Sequence, residues 1–261
     1  MTILLALAFF VFGAIVASFV GVLAGRLYTG QGIALGRSRC DACGRELTAG
    51  ALVPIFSYLL TRGRARCCCA RLSWMSPVSE CVLGALFAAS YLHLGLSFTL
   101  PLFLLALALL GALVLYDLAH QILPPPLLGA LVVVSALVAY LEAPSVVSLY
   151  PSLILAVAFA LFFGALWLFS GGRAMGLADA PLVFGLTLLA GPAALSGFLF
   201  SFWIGAVVGI VLLARRPRGA RMNTEVPFAP FLAAGFLLAY FTQWDPFALS
   251  TLILEALLSS R

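Results

Sequence analysis

From Cys81 to Tyr116 the chain runs thirty-six residues without an Asp, Glu, Lys or Arg, and from Ala180 to Ala214 it does so again for thirty-five. About 20 such residues in a helix cross the hydrocarbon of a bilayer, so each run holds two crossings. The rest of the chain agrees. Of its residues 64% are hydrophobic and 9% charged, where a soluble domain would be about a quarter charged. A membrane barrel would show short alternating segments, and these runs do not alternate. The expected fold class is an all-α polytopic membrane protein of about eight transmembrane helices, with a Cys-rich loop after the first.

The eight spans read as 3–24, two within 81–116, 127–141, 153–169, two within 180–214 divided at "AGPAALSG", and 227–240. The first lacks a preceding basic stretch and exceeds a signal-peptide core in length, so it is read as a retained helix. The inner piece "ALVPIFSYLL" (51–60) is too short to span and is expected to be a small buried or interfacial element. The tail "FALSTLILEALL" is also short. "LAHQILPPP" ends the third span, because its prolines break a helix. The organisation expected is a first helix (1–25), a Cys-containing loop domain (26–79) and a membrane core (80–261).

All fourteen basic residues are Arg. Eight lie from Arg26 to Arg71, four from Arg215 to Arg221, one at Arg173 and one at Arg261. Clustering in alternate connections is the positive-inside pattern, which sets the N-terminus outside and the connections 26–79, 117–126, 171–180 and 215–226 in the cytoplasm. Nucleic acid would need the charge on one face with aromatic platforms, so it is not an expected partner. Membrane lipid is, through the Arg-rich loops.

Two acids fall on the expected cytoplasmic side. Asp117 ends the third span, and Asp179 stands in "AMGLADAPLVFG" before the sixth. An acid at a membrane boundary costs free energy unless paired or wetted, which makes both functional candidates. Two carboxylates close together do not both ionise easily, so one takes a proton from water while the other donates to a scissile carbonyl. The plainer alternative stays open: Asp179 as a helix N-cap with Pro181 in the first turn, and Asp117 as a capping or interface residue.

Five stretches in order resemble the prepilin leader peptidases, membrane aspartic proteases of type IV pilus and type II secretion systems. They are "ASFVGVLAGRL" (17–27), the cysteine loop (37–80), "YDLAHQILP" (116–124), "AMGLADAPL" (174–182) and "VPFAPFLAAG" (226–235). The resemblance implies an aspartic endopeptidase of the bacterial inner membrane. It would cleave the short basic leader of prepilins or pseudopilins after a glycine on the cytoplasmic side, with Asp117 and Asp179 as the catalytic pair. Many members also N-methylate the new amino terminus, with S-adenosylmethionine as methyl donor. Gly176 and Ala178 fall on the two glycines of the family's Gly-x-Gly-Asp motif. Ala178 departs from it, and Pro181 replaces a usual lysine. Alanine lacks a glycine's freedom at positive φ.

Cys40-x-x-Cys43 has the spacing of half a zinc site. The family carries a second Cys-x-x-Cys, and alignment puts Ala65 and Cys68 on it. The expected metal ligands are Cys40, Cys43 and Cys68, with Cys67 or Cys69 as the fourth and Cys67 the one chosen. The alternative is ordinary reduced thiols; disulfides do not suit a cytoplasmic loop. Zinc there would be structural. His120 follows Asp117 by three residues and is expected at a solvated boundary. Glu80 is expected to cap its helix or face a polar methylation pocket. Two other classes remain open to the residues alone: a proton-coupled transporter using the acids as a relay, disfavoured by the lack of an internal repeat, and a non-catalytic assembly subunit.

Overall fold

The computed structural model describes residues 1–27, 40, 42–46, 54–173, 175–215 and 227–246. The tail 247–261 and the arginines Arg37, Arg39, Arg216, Arg218, Arg221 and Arg261 lie outside them. Among the described residues the regular structure is helical, apart from isolated bridge positions such as the antiparallel pair Arg64 and Arg71. Six stretches are long and apolar enough to cross a membrane, which makes this a polytopic helical membrane protein. One of them, Asp179–Arg215, is a 37-residue run that holds two of the eight predicted segments. The last predicted segment forms a helix of 14 residues, shorter than the crossings.

The chain divides into two compact units, Met1–Ala130 and Leu131–Arg261. In the first, α1 (Thr2–Arg26) has no proline and no charge before Arg26, and its 25 residues are apolar on every side. At 1.5 Å per residue it reaches about 37 Å, enough to span. α2 is the single turn Phe56–Leu60, and α3 (Met75–Leu94) packs along α1. Lipid gives helices no hydrophobic reason to associate, so close approach between small residues does it. Gly13 and Gly84 make that approach. A Cβ on Gly13 would stand 2.8 Å from the Leu83 carbonyl and 2.9 Å from the Gly84 Cα, and one on Gly84 would stand 2.8 Å from the Phe10 carbonyl. Phe9 stacks on Tyr91 beside it, rings 4.9 Å apart.

α4 (Leu100–His120) starts with Pro101 in its first turn, where a missing N–H costs nothing. Gln121 ends it in the left-handed conformation, its N–H donating to the Asp117 carbonyl, and Pro124 follows. The predicted proline break therefore falls where expected, and it leaves Asp117 in the last turn. α5 (Pro125–Glu142) crosses the division between the units.

In the second unit α6 (Val146–Ser170) begins seven residues before the predicted 153. Ser145 and Ser148 form a reciprocal capping box that starts the helix early, and Pro151 is carried inside it. α7 (Asp179–Ala190) ends at a 3-10 turn, Gly191–Ala193, which opens α8 (Ala194–Arg215). α9 (Ala229–Thr242) packs on α8 through small residues. A Cβ on Gly235 would overlap the Ser201 backbone nitrogen and hydroxyl. The Ser201 hydroxyl donates to the Gly197 carbonyl (2.8 Å) on its own helix and to the Leu232 carbonyl (3.3 Å) on α9. A cluster of phenylalanines, with Phe159 stacked on Phe198 at 4.1 Å, fills the space between α6 and α8.

Candidate functional site

The cysteine loop is built from one turn used twice. In the first copy the Cys40 N–H donates to the Arg45 carbonyl, and the Gly44 N–H donates to the Cys40 carbonyl. In the second the Ala65 N–H donates to the Ala70 carbonyl, and the Cys69 N–H donates to the Ala65 carbonyl. Gly44 and Cys69 hold the same place in the two turns, both left-handed, at φ 70° and 58°. Ala65 thus occupies the second turn's counterpart of Cys40, as the alignment with the family implied. It brings no sulfur, and Cys67 supplies one from two residues further on.

The sulfurs of Cys40, Cys43, Cys67 and Cys68 all lie within 4.8 Å of one another. Cys40 to Cys68 and Cys67 to Cys68 are each 3.8 Å, and Cys43 to Cys67 is 3.3 Å. A tetrahedral zinc with four thiolates at about 2.3 Å has edges of about 3.8 Å. Four soft thiolate donors at that spacing fit zinc by number, chemistry and size. The structure gathers the four cysteines chosen from the sequence and leaves Cys69 and Cys81 exposed outside the group. The N–H groups of Ala42, then Cys43, pull the Cys40 thiol down to about 7. Hydrogen bonding with Cys43, then Cys40, pushes Cys67 up to about 12.

Glu80 holds this loop to the membrane helix. The residue is 5% exposed, and its carboxylate accepts the Ile55 N–H at 2.7 Å and the Ser76 hydroxyl at 3.4 Å. It sits in the second turn of α3, so it does not cap that helix. Instead it receives the N-cap residue of α2, and Ile55 is held at φ 62°. A β-branched residue there is an outlier, and a short bond to a buried carboxylate is what sustains it. No spacing rule foretells this contact, because its partners are a backbone amide and an acid 25 positions apart.

The acids occupy helix ends. Asp117, 6% exposed, lies in the last turn of α4 within the first unit. His120 is exposed, as expected, with its ring 4.5 Å from that of Tyr116. Asp179, 8% exposed, is the first residue of α7 in the second unit. It exchanges two hydrogen bonds with Gly176: its Oδ2 accepts the Gly176 N–H, and its own N–H donates to the Gly176 carbonyl, both at 3.2 Å. The N-cap is Ala178, not Asp179, so the carboxylate is turned back onto the preceding loop instead of closing its own helix. Ala178 has φ −68°, an ordinary helical value. The position asks for no positive φ, and alanine meets it without strain.

Comparison with known proteins supplies what geometry alone does not. Residues 11–94 match the model of the bacterial peptidase A24 N-terminal domain. The chain is 32% identical over 238 residues to the prepilin leader peptidase/N-methyltransferase of Bacillus subtilis, covering 88% of this chain and 92% of that one. The chain belongs to the prepilin leader peptidase/N-methyltransferase family. The like-named protein of Stutzerimonas stutzeri is 32% identical over 209 residues, covering 76% of this chain and 69% of its own. That of Pseudomonas aeruginosa is 30% identical over 215 residues, covering 78% and 71%. No solved structure matches. The domain match takes in α1 from Val11 onward, the duplicated cysteine turn, the Glu80 contact and α3. Within the prepilin leader peptidase family this chain is thus recognisable across the loop whose second turn carries Ala65 where the first carries Cys40.

Proposed function

We propose that the chain is a membrane-embedded aspartic endopeptidase that removes the short basic leader of prepilins or pseudopilins. The observation that carries this reading is family membership over nearly the whole chain, together with buried carboxylates at the ends of α4 and α7. In the mechanism Asp117 and Asp179 share one proton. The ionised member takes a proton from water, and the oxygen of that water adds to the scissile carbonyl carbon. The protonated member donates to the carbonyl oxygen, and collapse of the tetrahedral intermediate sends a proton to the leaving amine. The Gly176 N–H holds one oxygen of Asp179 and fixes the direction of its carboxylate.

The arginine distribution supports an N-terminus outside a bacterial inner membrane and cleavage at the cytoplasmic face. There a substrate helix would emerge from lipid. In this reading residues 26–79 are a cytoplasmic loop domain on a protease core of residues 80–261. Zinc held by Cys40, Cys43, Cys67 and Cys68 would tie the two turns together and take no part in hydrolysis. N-methylation of the new amino terminus, with S-adenosylmethionine as methyl donor, enters through the family alone.

One assay tests the reading. The chain in vesicles is given a candidate prepilin, with and without S-adenosylmethionine, and the product is sequenced and weighed. A new amino terminus following glycine is expected, with the mass of one methyl group added when the donor is present. An uncut substrate that still binds would make the chain an assembly subunit. Ion flux without a new terminus would make it a transporter.

A further inference from the structure

The cysteine loop ends in residues 54–79, which contain Arg62, Arg64, Arg66 and Arg71 and no acid. All four arginines are exposed. Within the same segment α2 turns an apolar face outward. Phe56, Leu59 and Leu60 are 65, 65 and 72% exposed. Their spacing of three and four places them on one side of the turn. The other side is committed to the loop, where Tyr58 packs against Gly63 and accepts its N–H.

The depth of this face is fixed by contacts already described. Ile55, the N-cap of α2, is bonded to Glu80, and Glu80 lies in the second turn of the membrane-spanning α3. The start of α2 is therefore level with the end of a membrane span. Trp74, 66% exposed, immediately precedes α3. Indole rings favour the headgroup level. A three-residue apolar face with four arginines and no acid, held at that level, has the chemistry of an interfacial anchor.

We infer that α2 lies in the bilayer interface, its Phe56, Leu59 and Leu60 face among the acyl chains and Arg62, Arg64, Arg66 and Arg71 on anionic headgroups. The occupant follows from charge. A basic leader peptide would be repelled by four arginines, and a second copy of the chain would bring four more. An anionic lipid surface complements them. The Cys-bearing loop is then clamped to the membrane from two sides, by Glu80 through the α2 backbone and by lipid through the α2 face.

The test places a tryptophan at Leu60→Trp in the full chain, with Phe56→Trp as a second, aromatic-for-aromatic reporter. Each is reconstituted in phosphatidylcholine vesicles with and without phosphatidylglycerol, using brominated acyl chains as quenchers. The added emission is read against the unsubstituted chain. Blue-shifted emission, quenched by brominated lipid, is expected. Quenching should fall when phosphatidylglycerol is omitted and when the four arginines are replaced by glutamine. Each arginine is expected to change the docked-to-undocked ratio by about fivefold. Red-shifted, unquenched emission would show the face in water. Blue-shifted emission that brominated lipid does not quench would show it covered by protein. Equal quenching in neutral vesicles would remove the role of anionic lipid. Any of these three overturns the inference.

Discussion

Cys69 carries a cost that its counterpart does not. It holds a left-handed backbone at φ 58° where the first turn uses Gly44, and for a side-chain-bearing residue that conformation costs about 1–2 kcal/mol. Cys69→Gly should therefore stabilise the loop by about 1 kcal/mol and leave metal content unchanged. Cys67→Ser should lower metal content instead. Thermal unfolding and elemental analysis of the purified variants separate the two effects. Because Ala65 stands where Cys40 stands in the other turn, Ala65→Cys introduced with Cys67→Ala should restore the metal that Cys67→Ala alone loses. Zinc affinity should also rise with pH. Bound thiols must surrender their protons, and Cys67 begins with its thiol held up at about 12. Competition titrations above and below neutral should show tightening of about tenfold per unit for each proton released. Affinity independent of pH would argue against thiolate ligation.

At the scale of elements, two helix pairs depend on glycines that face another backbone. Gly84→Leu has nowhere to put its side chain beside Phe10, and Gly235→Leu meets Ser201. Each should cost about 1–3 kcal/mol or more by overpacking. Each should also lower the temperature of aggregation in detergent. Gly21 is the control, since a Cβ there meets nothing within 4 Å, and Gly21→Leu should behave like the parent. Two variants as stable as the Gly21 control would contradict the close crossings. The Ser201 bond to the Leu232 carbonyl adds little to this, because polar bonds between membrane helices average about 0.6 kcal/mol. Backbone proximity is the larger effect.

For the whole molecule, the sequence announced the helical segments because charge is excluded from them so completely. The 36-residue run from Cys81 could become only two crossings, and a break was visible in "HLGLSFTLP". The prolines after His120 marked where α4 stops. Starts were harder to read. Ser145 opens α6 through a serine pair, where a glutamate or glutamine three residues on would have been the recognisable sign. The cysteine group was half legible. Spacing indicated Cys40 and Cys43, but the preference for Cys67 over Cys69 depends on where each side chain points within a turn. That direction is set by backbone bonds between Ala65, Cys69 and Ala70. The Glu80 contact was hidden for a related reason, since its donor is a main-chain amide that carries no sequence signature. Asp179 was visible as an acid at a helix start, yet its bond to Gly176 and the cap at Ala178 could not be read from a motif in which Asp179 itself was the natural capping residue.

Asp117 and Asp179 are proposed to act as one hydrolytic unit. The most direct test is leader cleavage in vesicles by Asp117→Asn and Asp179→Asn, each matched to the parent for folded protein. Both variants should lose turnover by about a thousandfold or more, since neither acid can act as base and acid alone. Substantial cleavage by either variant would contradict the account.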